Sequence, residues 1–427
     1  MLLSRSRLSN EIVGRIIAFA HAKNFPELSK TLCSIKAGAV SESEWQTVSD
    51  TITCLIKNSP GESGIASLCP SLLITCASGG FPISRNSREM VSKVVLEYFP
   101  SLSVFDKVVF TIGSSQTGLR NESVVHFVNR FLAEERENGF TGVSDALVPS
   151  LLLAVATLGI SNHNGWNGLV ARLNFAKMGS REVSDTALAI VTSRSFPIAT
   201  VEKVLDRAAE IGAQKFSSED AVCFLHTICC LEVFRTDLVR GLLLRIGRGG
   251  GLDEEGEKLV KQAILSLFLD PKAIEIINSV SPTTLHALDK LVDWTLPEPQ
   301  RHLSEVAGEV QSFLHEIEDE EEHSIQKPLA VPESLTSWTR ETAVSVAMDR
   351  FYVGDAIDPS RKILVHIDDE TYPDVSEGPL DAFLQLKHAQ ILLCGWRVLW
   401  IREQEWLLSN ADEKKRLVVL DHHLFVK

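Results

Sequence analysis

The sequence predicts a mainly α-helical fold: an α-solenoid-like array of helical-hairpin repeats, followed by a small C-terminal α/β domain. Apolar residues recur at spacings of three and four through residues 10–300, and similar helix starts return about every 35–41 residues. Beyond residue 342 the apolar spacing becomes strand-like. These shifts predict four stretches: a candidate targeting segment at 1–9, a helical-repeat domain at 10–300, an acidic, Pro-flanked linker at 301–342 and the α/β domain at 343–427.

The composition is that of a folded protein, and its charge excludes some functions. The 427 residues are 44% hydrophobic, and 42 Lys and Arg against 56 Asp and Glu give a net charge of −14. Proteins that coat DNA carry surplus positive charge, so we expect no DNA partner. Contact with RNA stays compatible with this total, because residues 301–342 hold 3 basic and 10 acidic side chains, which is −7 of the −14.

Neither a membrane span nor a bound metal is expected. The longest apolar runs, such as Leu151–Val155 and Ile391–Cys394, are far shorter than the roughly 18 residues of a spanning helix. The eight cysteines are scattered, with no Cys-x-x-Cys pair and no histidines at zinc-finger spacing. We therefore expect buried thiols in a reducing compartment, no metal and no cofactor.

The first nine residues have the character of an organellar presequence. Arg5 and Arg7 lie among serines and leucines, and no acid precedes Glu11. A basic, hydroxylated, acid-poor segment that can form an amphipathic helix is typical of mitochondrial targeting. An ordinary frayed N-terminus of a cytosolic protein is the alternative.

Residues 10–300 show helix after helix. Ser41 and Glu44 form a predicted capping box that opens a helix with Trp45 on its apolar stripe. Similar starts align at Ser103, Ser144, Val183 and Ser218. Hairpins of this length cannot bury their apolar stripes alone and must stack. A nonrepetitive helical domain whose helices have similar lengths is the alternative.

The segment that follows is predicted to be a solvated linker. Prolines bracket an acidic run at residues 316–322, which ends one helix and then becomes exposed chain. The alternative is an acidic contact for a basic partner protein.

The C-terminal pattern predicts strands at Phe351–Val353, Arg361–Ile367 and Arg397–Ile401. A helix at Leu380–Cys394 is expected to end at Gly395, and a last helix to run from about Ala411 to His423.

Several of these C-terminal residues together carry a family resemblance. A strand ends in Asp368, a helix begins its motif at Lys387, a Gly-Trp-x-Val strand starts at Gly395, a Glu-Trp pair ends at Trp406, and Lys414 begins the last helix. In this order the segment resembles the RAP domain. The helical region resembles the degenerate repeats that precede RAP domains in FAST-kinase-domain-containing and octotricopeptide-type organellar proteins.

The resemblance implies a restriction-endonuclease-like fold for the terminal domain and a place in the mitochondrial matrix. It further implies a role in organellar RNA processing, editing, stability or mitoribosome assembly, with RNA and subunits of a mitochondrial ribonucleoprotein complex as partners.

Candidate RNA contacts follow from the residue types in the same segment. Aromatic rings stack on unpaired bases, and neighbouring cations neutralise phosphate. The candidates are Lys387, His388, Arg397, Trp400, Arg402, Trp406, Lys414 and Lys415. Because Trp396, Val398 and Trp400 share one face of a strand, their burial in the core is the alternative.

No catalytic residue is predicted. A nuclease of this fold needs two acids to hold a metal and a Lys to orient water. His366 stands where the RAP family often has Glu, no Lys follows at the required spacing, and Asp355 and Asp358 lie in a predicted turn beside Pro359. We therefore expect a noncatalytic RNA-binding or scaffold protein. The alternatives are a pure protein-interaction scaffold and a metal-dependent RNA endonuclease that uses Asp368.

Overall fold

A computed structural model describes residues 2–35, 39–58, 62–81, 85–160, 165–193, 198–294, 297, 306–317, 334–368 and 382–414. As predicted, the described chain is mainly helical, with one small sheet near its C-terminal end. It divides into two compact units, Met1–Met178 with Ser193–Ile198, and Gly179–Thr192 with Ala199–Lys427. No helix in the described ranges combines the length and the apolar character that crossing a membrane requires.

In the first unit, every regular element among the described residues is a helix. The α-helices are α1 (Leu2–His21), α2 (Phe25–Cys33), α3 (Glu42–Asn58), α4 (Ser63–Gly79), α5 (Arg85–Glu97), α6 (Val104–Gln116), α7 (Glu122–Glu137), α8 (Val148–Thr157) and α9 (Trp166–Ala171). Helices α2, α4, α6 and α8 pack successively on one another, while α1 packs on α3 and α5 on α7. Gly113 permits the close approach of α6 to α4, since a Cβ there would lie 2.8 Å from that of Leu73.

The predicted capping box is confirmed at the start of α3. The Glu44 amide donates to Ser41 Oγ at 3.4 Å, and the Ser41 amide donates to Glu44 Oε2 at 2.7 Å. Two donors that the helix itself cannot satisfy are therefore paired locally, which is why four residues of sequence sufficed to predict this start.

One contact recurs at the same sequence interval in both units. In the first, Arg172 donates to the carbonyl of Val143 at 3.3 Å, and in the second Arg245 donates to that of Phe216 at 2.7 Å. Each arginine lies 29 residues beyond its acceptor, and each acceptor precedes a serine, Ser144 or Ser217, at the N-cap position of a helical stretch. The repeated contact makes Ser217 the equivalent of Ser144. The alignment from the sequence differs by one residue, because it places Ser218 at this position.

The second unit contains the remaining helices and the sheet. Its helices are α10 (Ser180–Ser193), α11 (Ile198–Ile211), α12 (Ser218–Leu231), α13 (Thr236–Gly247), α14 (Glu254–Leu269), α15 (Ile274–Asn278), α16 (Pro282–Asp289), α17 (Ala307–Ile317), α18 (Arg340–Val346), α19 (Ala382–Leu393) and α20 (Glu403–Leu408). A π-helical turn, Ala347–Phe351, follows α18.

The sheet consists of β1 (Ala356–Asp358), β2 (Ile363–Asp368) and β3 (Arg397–Arg402) in the order β1-β2-β3. Strand β2 is antiparallel to β1 and parallel to β3. One face packs against α17, with Val310, Leu314, Val365, Leu399 and Trp406 in a shared core. The α/β core thus includes a helix from the stretch predicted as linker.

Helix α17 also covers the edge of the sheet. Gln311 Nε2 donates to the Ile357 carbonyl at 2.9 Å, and Gln311 Oε1 accepts from the Ile357 backbone amide at 2.8 Å. An edge strand leaves such backbone groups open to another chain, and here one side chain pairs both.

A buried hydrogen-bonded network joins α12 and α14 to α19 and the chain after α18. Gln262 Oε1 lies 2.7 Å from His226 Nε2. Gln262 Nε2 donates to the Tyr352 hydroxyl at 3.1 Å and to the Phe383 carbonyl at 2.9 Å. Tyr352 in turn donates to Gln390, whose amide donates to the Gln262 carbonyl at 2.7 Å. Since both glutamines are fully buried, their polar atoms depend on these partners.

Most C-terminal predictions are confirmed at the level of elements. Strands β2 and β3 and helix α19 lie where expected, and Gly395 ends α19 at φ +78°. The predicted strand at Phe351–Val353 is wrong, because Phe351 belongs to the π-helical turn and the short strand β1 begins five residues later. Residues 411–414 are helical, and the rest of the predicted last helix lies outside the described residues.

Candidate functional site on the C-terminal sheet

The second face of the sheet packs against α19 and carries a polar aromatic cluster. Strand alternation places His366 of β2 and Trp400 of β3 on this face, and the two residues are direct partners in the parallel register. His388 of α19 lies against both. The ring centroids are 5.1 Å apart for His366 and Trp400, 5.1 Å for His388 and Trp400, and 5.7 Å for the two histidines.

Asp355 supplies the negative charge beside this cluster. Its Oδ2 accepts the Ile367 amide at 2.7 Å and lies 3.8 Å from His366 Nδ1. Burial raises the pKa of the carboxyl group, but hydrogen bonds from His366 and the Ile367 amide outweigh it, so the pKa is below its usual value. Asp355 is thus held as a carboxylate that positions one imidazole and one strand end.

This pKa shift predicts how stability responds to acid. A carboxyl group whose pKa is lowered on folding stabilises the folded state above its unfolded pKa of about 3.9, and that contribution disappears as the pH falls through the folded value. We expect the urea midpoint of the second unit to fall with pH in this window. Asp355→Asn should have a lower midpoint at pH 6 and a weaker dependence on acid. An identical slope in the variant would contradict the assignment.

The neighbouring acid has a local structural role. Asp358 accepts hydrogen bonds from Ser360 Oγ at 2.6 Å and from the Arg361 amide at 3.0 Å, and it also pairs with the Arg361 side chain. Burial raises the pKa of Asp358, but these hydrogen bonds lower it by more, so the pKa is below its usual value. The carboxylate therefore closes the turn between β1 and β2, which is the local bonding expected for Asp in a turn.

A basic corner lies at the other end of the parallel strands. We give this name to the exposed side chains of Arg340 at the start of α18, Lys362 in the turn before β2 and Arg397 at the start of β3. The Arg397 amide donates to the Lys362 carbonyl at 2.8 Å, and Arg340 Nη2 donates to the Leu393 carbonyl at 2.9 Å, just before the turn into β3. Within the described chain, no ion pair with a carboxylate is found for Lys362 or Arg397.

The candidate residues occupy very different environments. Arg397 and Arg402 are exposed at opposite ends of β3, whereas His388 and Trp400 are half-buried in the aromatic cluster. Lys387 is only 3% exposed, and its Nζ donates to the Val353 carbonyl at 2.9 Å. Its ammonium group therefore bonds inside the protein and is not presented to RNA. Lys415 lies outside the described residues.

Two further candidates belong to the core beneath α17. Trp406 is 0% exposed and packs edge-on against Phe313, with ring centroids 5.5 Å apart. Lys414 Nζ lies 4.9 Å from the Trp406 ring centroid and forms an ion pair with Glu309. A fully buried ring offers no face to a base, so this packing removes Trp406 from the candidate RNA surface and restricts Lys414.

The sequence reasoning missed Arg340 and Lys362. Lys362 was inside a segment interpreted only as a strand, and its proximity to Arg397 follows from the register that pairs Ile363 with Arg397. The available signal was the basic pair Arg361-Lys362 directly before an apolar strand, of which only Lys362 is exposed. Arg340 carried no local signal, because its contact with Leu393 spans 53 residues.

The described residues contain no group of three His, Cys, Asp or Glu side chains arranged to hold a metal ion. The ring contacts of His388 with His366 and Trp400 hold α19 on the sheet, and the exposed cations of the basic corner can neutralise phosphate. Comparison of the chain with protein-family models and with curated proteins yields no match to either.

Proposed function

We propose that this chain is a noncatalytic RNA-binding protein of a mitochondrial ribonucleoprotein complex, and that its terminal α/β domain contacts RNA through the basic corner. The observation that carries the proposal is that three exposed cations are tied by hydrogen bonds to the chain around the turn between α19 and β3: Arg340 through the Leu393 carbonyl, and Lys362 through the Arg397 amide. Half-buried Trp396 lies next to Arg397 in this turn and adds an aromatic surface for a base. The mitochondrial location rests on the basic N-terminal segment and the RAP-like residues.

We expect RNA to bind at the basic corner because each negatively charged phosphate needs a positive charge to neutralise it. Cations that are exposed and free of carboxylate partners can replace the counterions of a nucleic acid, which gives affinity that falls with salt. The −14 net charge means that such contacts must be few and local. The successive packing of α2, α4, α6 and α8 and the repeated arginine contact support the proposal that a helical-repeat array precedes this domain in the chain.

The proposal is tested by fluorescence anisotropy of the full chain with a labelled single-stranded RNA of about 20 nucleotides. The variant K362E/R397E should bind roughly tenfold more weakly or worse, and the log–log salt slope should lose about 1.4 if each cation meets one phosphate. The control K215E/R240E changes charge equally at two other exposed positions. Equal losses in both variants, or no binding by the native chain, would refute the assignment.

A second candidate function, a scaffold that binds only proteins, is favoured by one observation. Leu392, Leu407 and Leu408 are 51, 61 and 87% exposed on the α/β domain. Large apolar side chains that are exposed together are typical of surfaces that bind another protein. If the native chain binds no RNA but L407S/L408S loses protein partners in organelle extracts, this function replaces the first.

A further inference from the structure

A cysteine, a histidine and a glutamine form a second polar constellation away from the sheet. His226 and Cys230 lie one turn apart on α12, and Cys230 Sγ is 3.7 Å from His226 Nδ1. The other ring nitrogen, Nε2, lies 2.7 Å from Gln262 Oε1 on α14. The order of groups is thiol, imidazole and amide oxygen, an arrangement in which a base activates a nucleophile and a third group orients the base.

The network around Gln262 determines which nitrogen of His226 carries a proton. The Gln262 amide nitrogen must face the Phe383 carbonyl, since a carbonyl can only accept, and that bond measures 2.9 Å. Its oxygen therefore faces His226, and Nε2 must be the donor in that bond. In the neutral imidazole the lone pair is then on Nδ1, directed toward the thiol of Cys230.

Burial distinguishes this thiol from its neighbours. His226 is 2% exposed and Gln262 is fully buried, whereas Cys230 is partly exposed. The adjacent Cys229 is buried, and burial raises its pKa to about 12, as it does for Cys69 and Cys394. Those three thiols are unreactive by desolvation, while Cys230 combines access from solvent with an internal base.

We propose that Cys230 is a nucleophilic thiol activated by His226, and that it is a site of mixed-disulfide formation with small disulfides. The thiol proton moves to His226 Nδ1, and the thiolate attacks one sulfur of the disulfide. A new S–S bond forms at Cys230 as the old one breaks, and the second sulfur leaves as a thiolate that takes up the proton. Cys230 is oxidised and the leaving sulfur is reduced, so the exchange balances.

The reaction would act on the junction between α12 and α19. Cys230 Sγ also lies 3.5 Å from the carbonyl of Ala382, the first residue of α19, which accepts the thiol proton when His226 does not. A mixed disulfide removes this donor and adds bulk at the junction. The charged groups that packing brings nearby are Lys258 over the Phe383 ring, Lys261 paired with Glu257 at 3.0 Å, and buried Lys387 of α19.

The test is alkylation of the intact chain by iodoacetamide, with each cysteine read separately by peptide mass spectrometry. Between pH 6.5 and 8.5 the rate at a thiol with a pKa of about 8.5 rises roughly fiftyfold. Exposed Cys33 is followed in the same digest for comparison. The rate at Cys230 should rise less than about fivefold, because His226 Nδ1 takes the thiol proton as the sulfur attacks and the reaction does not depend on free thiolate. A rise equal to that of Cys33, or reaction only after unfolding, would overturn the proposal.

Two further measurements separate chemistry from folding. His226→Gln should make Cys230 follow the profile of Cys33, while the native chain already gives the decisive comparison should this buried variant not fold. At pH 6.5, glutathione disulfide should add one glutathionyl group at Cys230 before any other cysteine, and Cys230→Ser should abolish that adduct. An adduct that forms first at Cys33 or Cys54 would refute the site.

Discussion

Replacement of Gln262 by methionine should lower the free energy of unfolding of the second unit by about 3–5 kcal/mol, because it removes three buried partners while preserving volume. His226, Tyr352 and the Phe383 carbonyl would each lose a hydrogen bond in a site that excludes water. In a unit of this size the loss corresponds to a fall in Tm of roughly 6–15 °C. Urea unfolding followed by tryptophan fluorescence measures it.

The matched control is Gln404→Met, the same replacement at an exposed position of α20. It should change stability by no more than about 0.5 kcal/mol. If both variants unfold at the same urea concentration, the network contributes nothing, and the packing of α19 on α14 must rest on apolar contacts alone.

Because the partners of Gln262 and Gln390 lie on both sides of the packing of α19 on α14, we also expect residues 343–427 to be unfolded when expressed without the preceding helices.

Trp406→Ala should destabilise the α/β core by about 3–5 kcal/mol, the usual cost of emptying a large aromatic site in a core. The ring is fully buried with Phe313, Val310 and Leu314 of α17, so its loss leaves a cavity beneath the helix. Trp400→Ala is the comparison, since that ring is half-buried and should cost roughly half as much or less. Thermal and urea unfolding of the full chain measure both.

Trp406→Ala also tests whether the Trp406 ring belongs to the protein core or to the surface that binds RNA. Once RNA affinity is corrected for the folded fraction, Trp406→Ala should bind as the native chain does. A loss of affinity in a Trp406 variant that retains native stability would contradict the burial of the ring and restore it to the RNA surface.

Local signals explain what the sequence could predict. The capping pair Ser41 and Glu44 determines a helix start within four residues, and Gly395 marks a helix end because only glycine adopts positive φ without strain. Strand β2 could be predicted because it is a short run of apolar residues that is buried on both faces, and β3 because buried and less buried positions alternate along it. The triplet Phe351–Val353 has strand propensity, but contacts of Phe351 and Tyr352 with Phe383 and Gln390 override it.

The site was harder to predict because its burial depends on distant partners. Lys387 and Trp406 are residue types that bind RNA at surfaces, and nothing within ten residues shows that Val353 and Phe313 cover them. The apolar spacing of Val310, Phe313 and Leu314 did signal an amphipathic helix inside the acidic stretch. The basic corner required the register of two parallel strands, which a single sequence does not reveal.

If RNA binds at the basic corner, photocrosslinking with a 4-thiouridine-substituted single-stranded RNA will place it there. The full chain would be irradiated with the bound RNA, digested, and the modified peptides located by mass spectrometry. Crosslinks in peptides that contain Lys362 or Trp396 and Arg397, lost on addition of salt, are the predicted result. Crosslinks confined to residues 2–178, or none at an RNA concentration that saturates binding, would contradict it.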